Sequence, residues 1–126
     1  MRVLVLDDDP HILRAMALLL ESEADVTTSD SVASALALVE RERFDVVVAD
    51  LRLPGRWGDE LLAYVAAHSP GTRRLLLTGD LDPERTVREL LDQGVVQACF
   101  RKPRADGLVE AIRKVRGEAR PAPTAG

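Results

Sequence analysis

A single cysteine, Cys99, is all the thiol chemistry this chain has. One thiol can neither close an intrachain disulfide nor assemble a thiolate zinc site, which fits a reducing compartment. Nowhere do apolar residues run for the roughly 18 positions that a membrane-spanning helix needs. The opening MRVLVL is strand-sized and runs straight into three acids, without the long apolar stretch and small-residue cleavage site of a secretory signal. The chain is therefore expected in the cytoplasm, with no membrane contact. Excess positive charge is missing as well: 17 Lys and Arg stand against 21 Asp and Glu, a formal charge of -4. A dedicated nucleic-acid surface is excluded, and any DNA contact falls to another chain or domain. What remains is 126 residues, 46% hydrophobic and 30% charged. That suits one globular domain, which buries roughly two thirds of the surface its unfolded chain exposes.

Apolar runs of strand length recur at 3–6, 46–49, 75–77 and 95–100, with a marginal one over Val26, Thr27 and Thr28. Between them apolar residues return at helical spacing. Ile12, Ala15, Met16, Leu19 and Leu20 follow Pro10, which suits a first turn, and Val32, Ala35, Leu36 and Val39 follow Asp30 or Ser31 as caps. Three later stripes run through Leu61, Leu62, Val65 and Ala66, through Val87, Leu90 and Leu91, and through Leu108, Val109, Ile112 and Val115. The spacing predicts five strands alternating with five helices. LVL, VVVA and LLL are apolar on both faces, as strands are in a parallel sheet covered by helices on each side, and a closed barrel would need more units. Gly94 is placed to close the fourth helix, and from Gly117 the segment GEARPAPTAG has two prolines and no apolar periodicity. We read residues 1–116 as the domain and 117–126 as a flexible tail or linker stump.

Strands of a parallel sheet present their carboxyl ends at one rim, where open α/β folds bind ligands. Asp7 and Asp8 follow VLVL, Asp50 ends VVVAD, and Lys102 follows CFR. Adjacent acids alone are ordinarily a solvated strand end. Three like charges at the mouth of a buried strand, however, repel one another unless a cation is present, and a hard ion such as Mg²⁺ takes carboxylate, carbonyl and water oxygens. Asp8 and Asp50 are the better ligands, Asp7 acts directly or through water, Arg52 offers its backbone carbonyl, and Asp9 is the alternative cap of the first helix. For Asp50 two readings stand: a nucleophile that forms an aspartyl phosphate, or a metal ligand only. In LRLPGRWGDE, Pro54, Gly55 and Gly58 turn sharply enough to admit a phosphodonor, or are ordinary turn formers. Thr78, just before Gly79, offers a hydroxyl to a phosphoryl oxygen, or is simply a strand residue. Lys102 reaches a phosphoryl oxygen or pairs with Asp50. The bond from Lys102 to Pro103 is a candidate for the cis form, which about 5–6% of X-Pro bonds adopt.

VLVLDDDP, VVVADLRLPGRWGDELL, LLLTG and FRKP, in this order and spacing, resemble the receiver domains of two-component response regulators over residues 1 to about 116. The resemblance implies a (βα)5 doubly wound, flavodoxin-like fold with a five-stranded parallel sheet of order 2-1-3-4-5. It also implies Mg²⁺ as cofactor and a sensor histidine kinase or phosphotransfer protein as phosphoryl donor. On it, Asp50 is the phosphoacceptor, Asp7 and Asp8 the acidic pair, Thr78 the switch hydroxyl and Lys102 the phosphoryl-facing lysine. Such a domain catalyses only its own phosphorylation and dephosphorylation.

The chain departs from that pattern at Cys99, where the family usually has an aromatic ring that moves inward on activation; Phe100 stands beside it. Trp57 replaces a common acid and Arg104 a common apolar residue. Both are candidate partner contacts, unless Trp57 simply lies over the third helix. An output surface is expected on the fourth helix, fifth strand and fifth helix. There Arg85, Arg88, Glu89, Arg113 and Lys114 offer charge to an output domain, a downstream protein or a second copy, or form a solvated surface. Arg52 and Asp80, two residues past Asp50 and Thr78, are expected to flank the attacking water and tune the lifetime of the acyl phosphate. Two rival readings remain. One is a phosphatase resembling the haloacid dehalogenase superfamily, whose D-x-D motif Asp7 and Asp9 mimic, with Thr78 and Lys102 as later motifs and Asp50 left without a role. The other is a phosphorylation-independent, receiver-like adaptor, which Cys99 favours.

Overall fold

A computed structural model describes residues 1–79, 82–102 and 106–119. The expectations for Asp80, Pro103, Arg104 and residues 120–126 lie outside the described residues. The main sheet consists of β1 (Arg2–Leu6), β2 (Asp25–Ser29), β3 (Val46–Asp50), β6 (Arg73–Thr78) and β7 (Ala98–Arg101), and a small hairpin joins β4 (Arg52–Leu53) to β5 (Arg56–Trp57). The helices are α1 (Pro10–Leu20), α2 (Val32–Arg41), α3 (Asp59–His68), α4 (Glu84–Asp92) and α5 (Asp106–Ala119). Every pairing in the main sheet is parallel, in the order β2-β1-β3-β6-β7. Counted along its five strands this is 2-1-3-4-5, as expected.

Alternation along each strand divides the apolar residues between two cores. Leu4, Leu6, Val47, Ala49 and Leu76 meet residues of α2, α3 and α4, among them Ala35, Leu61, Leu62 and Leu90. Val3, Val5, Val46, Val48, Leu75 and Leu77 meet Met16 and Leu20 of α1 and Leu108 and Ile112 of α5. The unbroken apolar runs are thus the mark of strands covered on both faces, and each fully buried leucine contributes about 1.5–3 kcal/mol. The polar edge strand β2, DVTTS, gave only a marginal signal because it is paired along one side and largely half-exposed.

Local chemistry sets the helix ends. The Asp9 carboxylate caps α1 by accepting from the His11 amide, with Pro10 in the first turn, and Ser31, rather than Asp30, caps α2 through the Ser34 amide. Gly94 follows α4 with φ of 74°. The expected boundary at 116 falls inside α5, which runs on to Ala119. Its final turns carry ion pairs to the rest of the chain: Arg113 and Arg116 both pair with Glu23, and Glu118 pairs with Arg73. Arg113 is consequently turned toward the α1–β2 connection, not toward α4. Among the described residues, no helix is long and apolar enough to cross a membrane.

β6 begins two residues earlier than its apolar run, and the added Arg74 is buried. Its guanidinium donates to the carbonyls of Val95 (2.9 Å), Thr72 (2.7 Å), Pro70 (3.1 Å) and Gly94 (3.2 Å). Burial, reinforced by the charge of Arg73, pushes it below the ordinary arginine value. One side chain thereby joins the start of β6 to the end of α4 and the approach to β7. We predict that Arg74→Met lowers stability by about 2–4 kcal/mol, and that Arg74→Lys recovers only part of this, because an ammonium cannot fork onto four carbonyls. Chemical denaturation checks both; a lysine variant as stable as wild type would refute the role of the fork.

Candidate functional site

The carboxyl ends of β1, β3, β6 and β7 share one rim. Asp7 continues the ladder beyond β1, its amide donating to the Ser29 carbonyl at 3.1 Å, and this carries its carboxylate into the protein, where it is fully buried. One of its oxygens accepts from the Asp9 amide at 2.9 Å; the other lies 2.5 Å from Lys102 Nζ. Asp50, the last residue of β3 and also buried, places Oδ2 2.9 Å from the same nitrogen and accepts from the Arg52 amide. Lys102 was expected to pair with Asp50. The closer contact, to Asp7, was not foreseen, because nothing local indicates that the Asp7 side chain turns inward.

Asp8 is exposed, yet oxygens of Asp7, Asp8 and Asp50 all lie within 4.8 Å of one another. This is a set of hard anionic donors with one open side, and it suits a small divalent cation that keeps several waters. Asp9 stands apart from the cluster, committed to the α1 cap. That removes the second acid from a D-x-D arrangement.

Burial drives the Asp50 pKa above its ordinary value, with the charge of Asp7 adding to it, and hydrogen bonds from Lys102 and the Arg52 amide offset this only in part. For Lys102, burial disfavours the ammonium but the bonds to Asp7 and Asp50 outweigh it, so its pKa is raised and the charge stays in place. Lys102 is thus an internal counter-ion held at the mouth of the acidic cluster.

The β4–β5 hairpin follows Asp50 directly and returns beside it at Gly58. A Cβ at Gly58 would fall 1.8 Å from the Asp50 carbonyl oxygen, so only glycine lets the returning strand lie this close. The sequence marked Gly58 only as a turn former. Arg52 and Trp57 face each other across the hairpin, the guanidinium carbon 6.0 Å from the ring centroid, and half of Trp57 is exposed.

Thr78 ends β6 with its hydroxyl 3.5 Å from the Phe100 carbonyl, and its own carbonyl accepts from the Lys102 amide at 2.9 Å. The α4 side of the rim holds a groove of about 290 Å³ lined by Thr78, Gly79, Asp82, Val87, Leu91 and Arg101, among others. Cys99 packs into the core on the α4 side, where burial raises its thiol pKa. Phe100 belongs to the opposite core, against α5. Neighbours on a strand point to opposite faces, so Phe100 cannot supply the ring that Cys99 lacks.

The model of the response regulator receiver domain matches residues 3–113. Over 121 residues the chain is 32% identical to the transcriptional regulatory protein GlrR of Escherichia coli K12, covering 95% of this chain and 27% of that protein. It spans about a quarter of the length of the curated relatives that it matches first. A solved receiver domain protein from Clostridium thermocellum is 27% identical with a TM-score of 0.81, covering 93% of this chain and 94% of that one. The BeF3-activated receiver domain of DrrB, a Thermotoga maritima protein, is 26% identical with a TM-score of 0.80, covering 92% and 97%.

A raised Asp50 pKa means that the folded chain holds this proton more tightly than the unfolded chain. Its contribution to stability is fully present below the ordinary value of 3.8 and is lost as pH rises through the raised one. With metal chelated, Asp50→Asn should therefore gain stability over wild type as pH climbs from about 4 to 7. Thermal melts across that range check it; a difference that stays constant with pH would refute the shift.

Proposed function

The chain belongs to the response regulator receiver domain family, and we propose that it accepts one phosphoryl group on Asp50 from a sensor histidine kinase or phosphotransfer protein, in a Mg²⁺-dependent reaction. The observation that carries this reading is Lys102 Nζ, 2.5 Å from Asp7 and 2.9 Å from Asp50, with Asp8 completing an oxygen cluster beside it. Asp7, Asp8 and Asp50, with the Arg52 backbone carbonyl, would hold Mg²⁺, which supplies charge neutralisation between two anions. An Asp50 oxygen forms the new bond to phosphorus as the bond to the donor atom breaks. The leaving group departs with that electron pair and takes its proton from solvent. Lys102, already charged and already aimed at Asp50, transfers one of its contacts to a phosphoryl oxygen.

Thr78 is the second donor, its hydroxyl leaving a long contact with the Phe100 carbonyl for another phosphoryl oxygen. The change is then read on the α4, β7 and α5 face by an output domain, a downstream protein or a second copy of the chain. The chain acts on no separate substrate and catalyses only the gain and loss of its own phosphoryl group. Arg52, two residues past Asp50 and held over Trp57, would shield the acyl phosphate from water. A second reading, a phosphorylation-independent adaptor, is favoured by one observation: β7 presents Cys99, not a ring, to the α4 side while its Phe100 faces α5. The two readings part on whether phosphorylation changes a partner's affinity.

A small phosphodonor with Mg²⁺ should add the mass of one phosphoryl group to wild type and none to Asp50→Asn. An equal gain in the variant, measured by intact mass, would overturn the assignment of Asp50. Asp8→Ala should keep the fold, since Asp8 is exposed, yet weaken Mg²⁺ affinity by roughly tenfold or more and lower phosphorylation in step. An unchanged rise in melting temperature with Mg²⁺ would exclude Asp8 as a ligand.

A further inference from the structure

The chain leaves the sheet just after Thr78, and the peptide unit between Thr78 and Gly79 is held at both ends. Its carbonyl accepts from the Lys102 amide at 2.9 Å, as part of the ladder to β7. Its N–H donates to the Asp82 carboxylate at 2.7 Å, and the Asp82 amide returns a bond to the Gly79 carbonyl at 3.2 Å. A bond from an amide to a carboxylate is charge-assisted and about twice as strong as a neutral one. The Thr78 hydroxyl, by contrast, is scarcely held, its contact of 3.5 Å being at the limit of a hydrogen bond.

Asp82 also sits immediately before Pro83, the N-cap of α4, and α4 starts without a side-chain cap. A helix start attracts a carboxylate, through its free amides and its dipole. Asp82 nevertheless turns back to Gly79. Its carboxylate thus has two competing destinations, the end of β6 and the start of α4. Thr78, Gly79, Asp82 and Glu84 line the same groove, so the two lie side by side.

We propose that Asp82 is a positioning residue: its carboxylate latches the Gly79 amide and so holds Thr78 away from Asp50 until a phosphoryl group draws the threonine in. This rests on the reading of Asp50 as phosphoacceptor and Thr78 as switch hydroxyl. Moving Thr78 toward Asp50 shifts the peptide that Asp82 holds, and one of its two bonds must give. The bond to Lys102 belongs to the sheet ladder, so the bond to Asp82 is the one that breaks. The freed carboxylate is then beside the uncapped start of α4, and an event at Asp50 reaches a helix of the output face without an aromatic ring at position 99.

The experiment uses beryllium fluoride with Mg²⁺ as the phosphoryl mimic and the Gly79 amide resonance as the reporter. Without the adduct, the Gly79 proton should resonate downfield in wild type and lose that shift in Asp82→Ala. The variant should also bind the adduct about five- to tenfold more tightly, the latch no longer having to be broken. Asp82→Asn, which keeps an oxygen acceptor without the charge, should fall between the two. A Gly79 resonance unmoved by Asp82→Ala, or adduct affinity that is unchanged or weaker in that variant, overturns the latch alone. Wild type that takes no adduct at all overturns the phosphoacceptor reading, and the switching role of Asp82 with it.

Discussion

The ammonium of Lys102 between two buried carboxylates is the contact on which the rest of the rim depends. Asp7 is fully buried and Asp50 nearly so, 2.5 Å and 2.9 Å from the same nitrogen. Removing a carboxylate from water costs several kcal/mol unless a counter-charge accompanies it. The lysine meets this need from the far edge of the sheet, since β7 is its last strand. The pairing is therefore a tertiary one, joining residues 95 positions apart in sequence through the register β1, β3, β6, β7. A divalent cation at the open side would relieve the same repulsion from the other direction.

Around that contact the fold separates rigid from adjustable parts. Asp7, Asp50 and Thr78 stand at the ends of strands whose interiors are buried on both faces, so their backbone positions are fixed by the two cores, whereas Lys102 follows the half-buried edge strand β7. α4 is held differently. Of its residues only Leu90 is buried, and its far end is tied through the Arg74 guanidinium to Gly94 and Val95. Its near end has no side-chain cap and adjoins the Gly79–Asp82 bond. A helix anchored at one end and uncapped at the other is suited to respond to a small change at Thr78, because its first turn meets the core only through the half-buried Val87.

Cys99 on the inner face of β7 gives this arrangement its particular character. A small side chain fills little of the space on the α4 side, and Phe100 lies on the other face of β7. Arg101, again on the α4 side, lines the groove together with Asp82 and Arg88. Charged side chains thus share the groove with Val87 and Leu91. Polar contacts of this kind are directional and exchange partners at low cost near solvent, unlike a packed ring.

How much of this was legible in the sequence follows from the range of each interaction. Five strands and five helices could be read directly, because apolar runs and helical spacing are local signals, and the parallel order then put Asp7, Asp8, Asp50, Thr78 and Lys102 on one rim. Asp9 and Ser31 were readable as caps for the same reason: a cap is set by residues two or three positions away. The burial of Arg74, the hairpin beside Asp50, the close approach at Gly58, the continuation of α5 past 116 and the contact between Asp7 and Lys102 were not readable. Each depends on a partner brought near only when the sheet is assembled. Composition and periodicity determine which residues enter the core and which strand ends carry acids, since these follow from transfer of side chains out of water. Only the tertiary structure decides which oxygen meets which nitrogen, and on which face of β7 a side chain lies, because distance and register exist only between strands already paired.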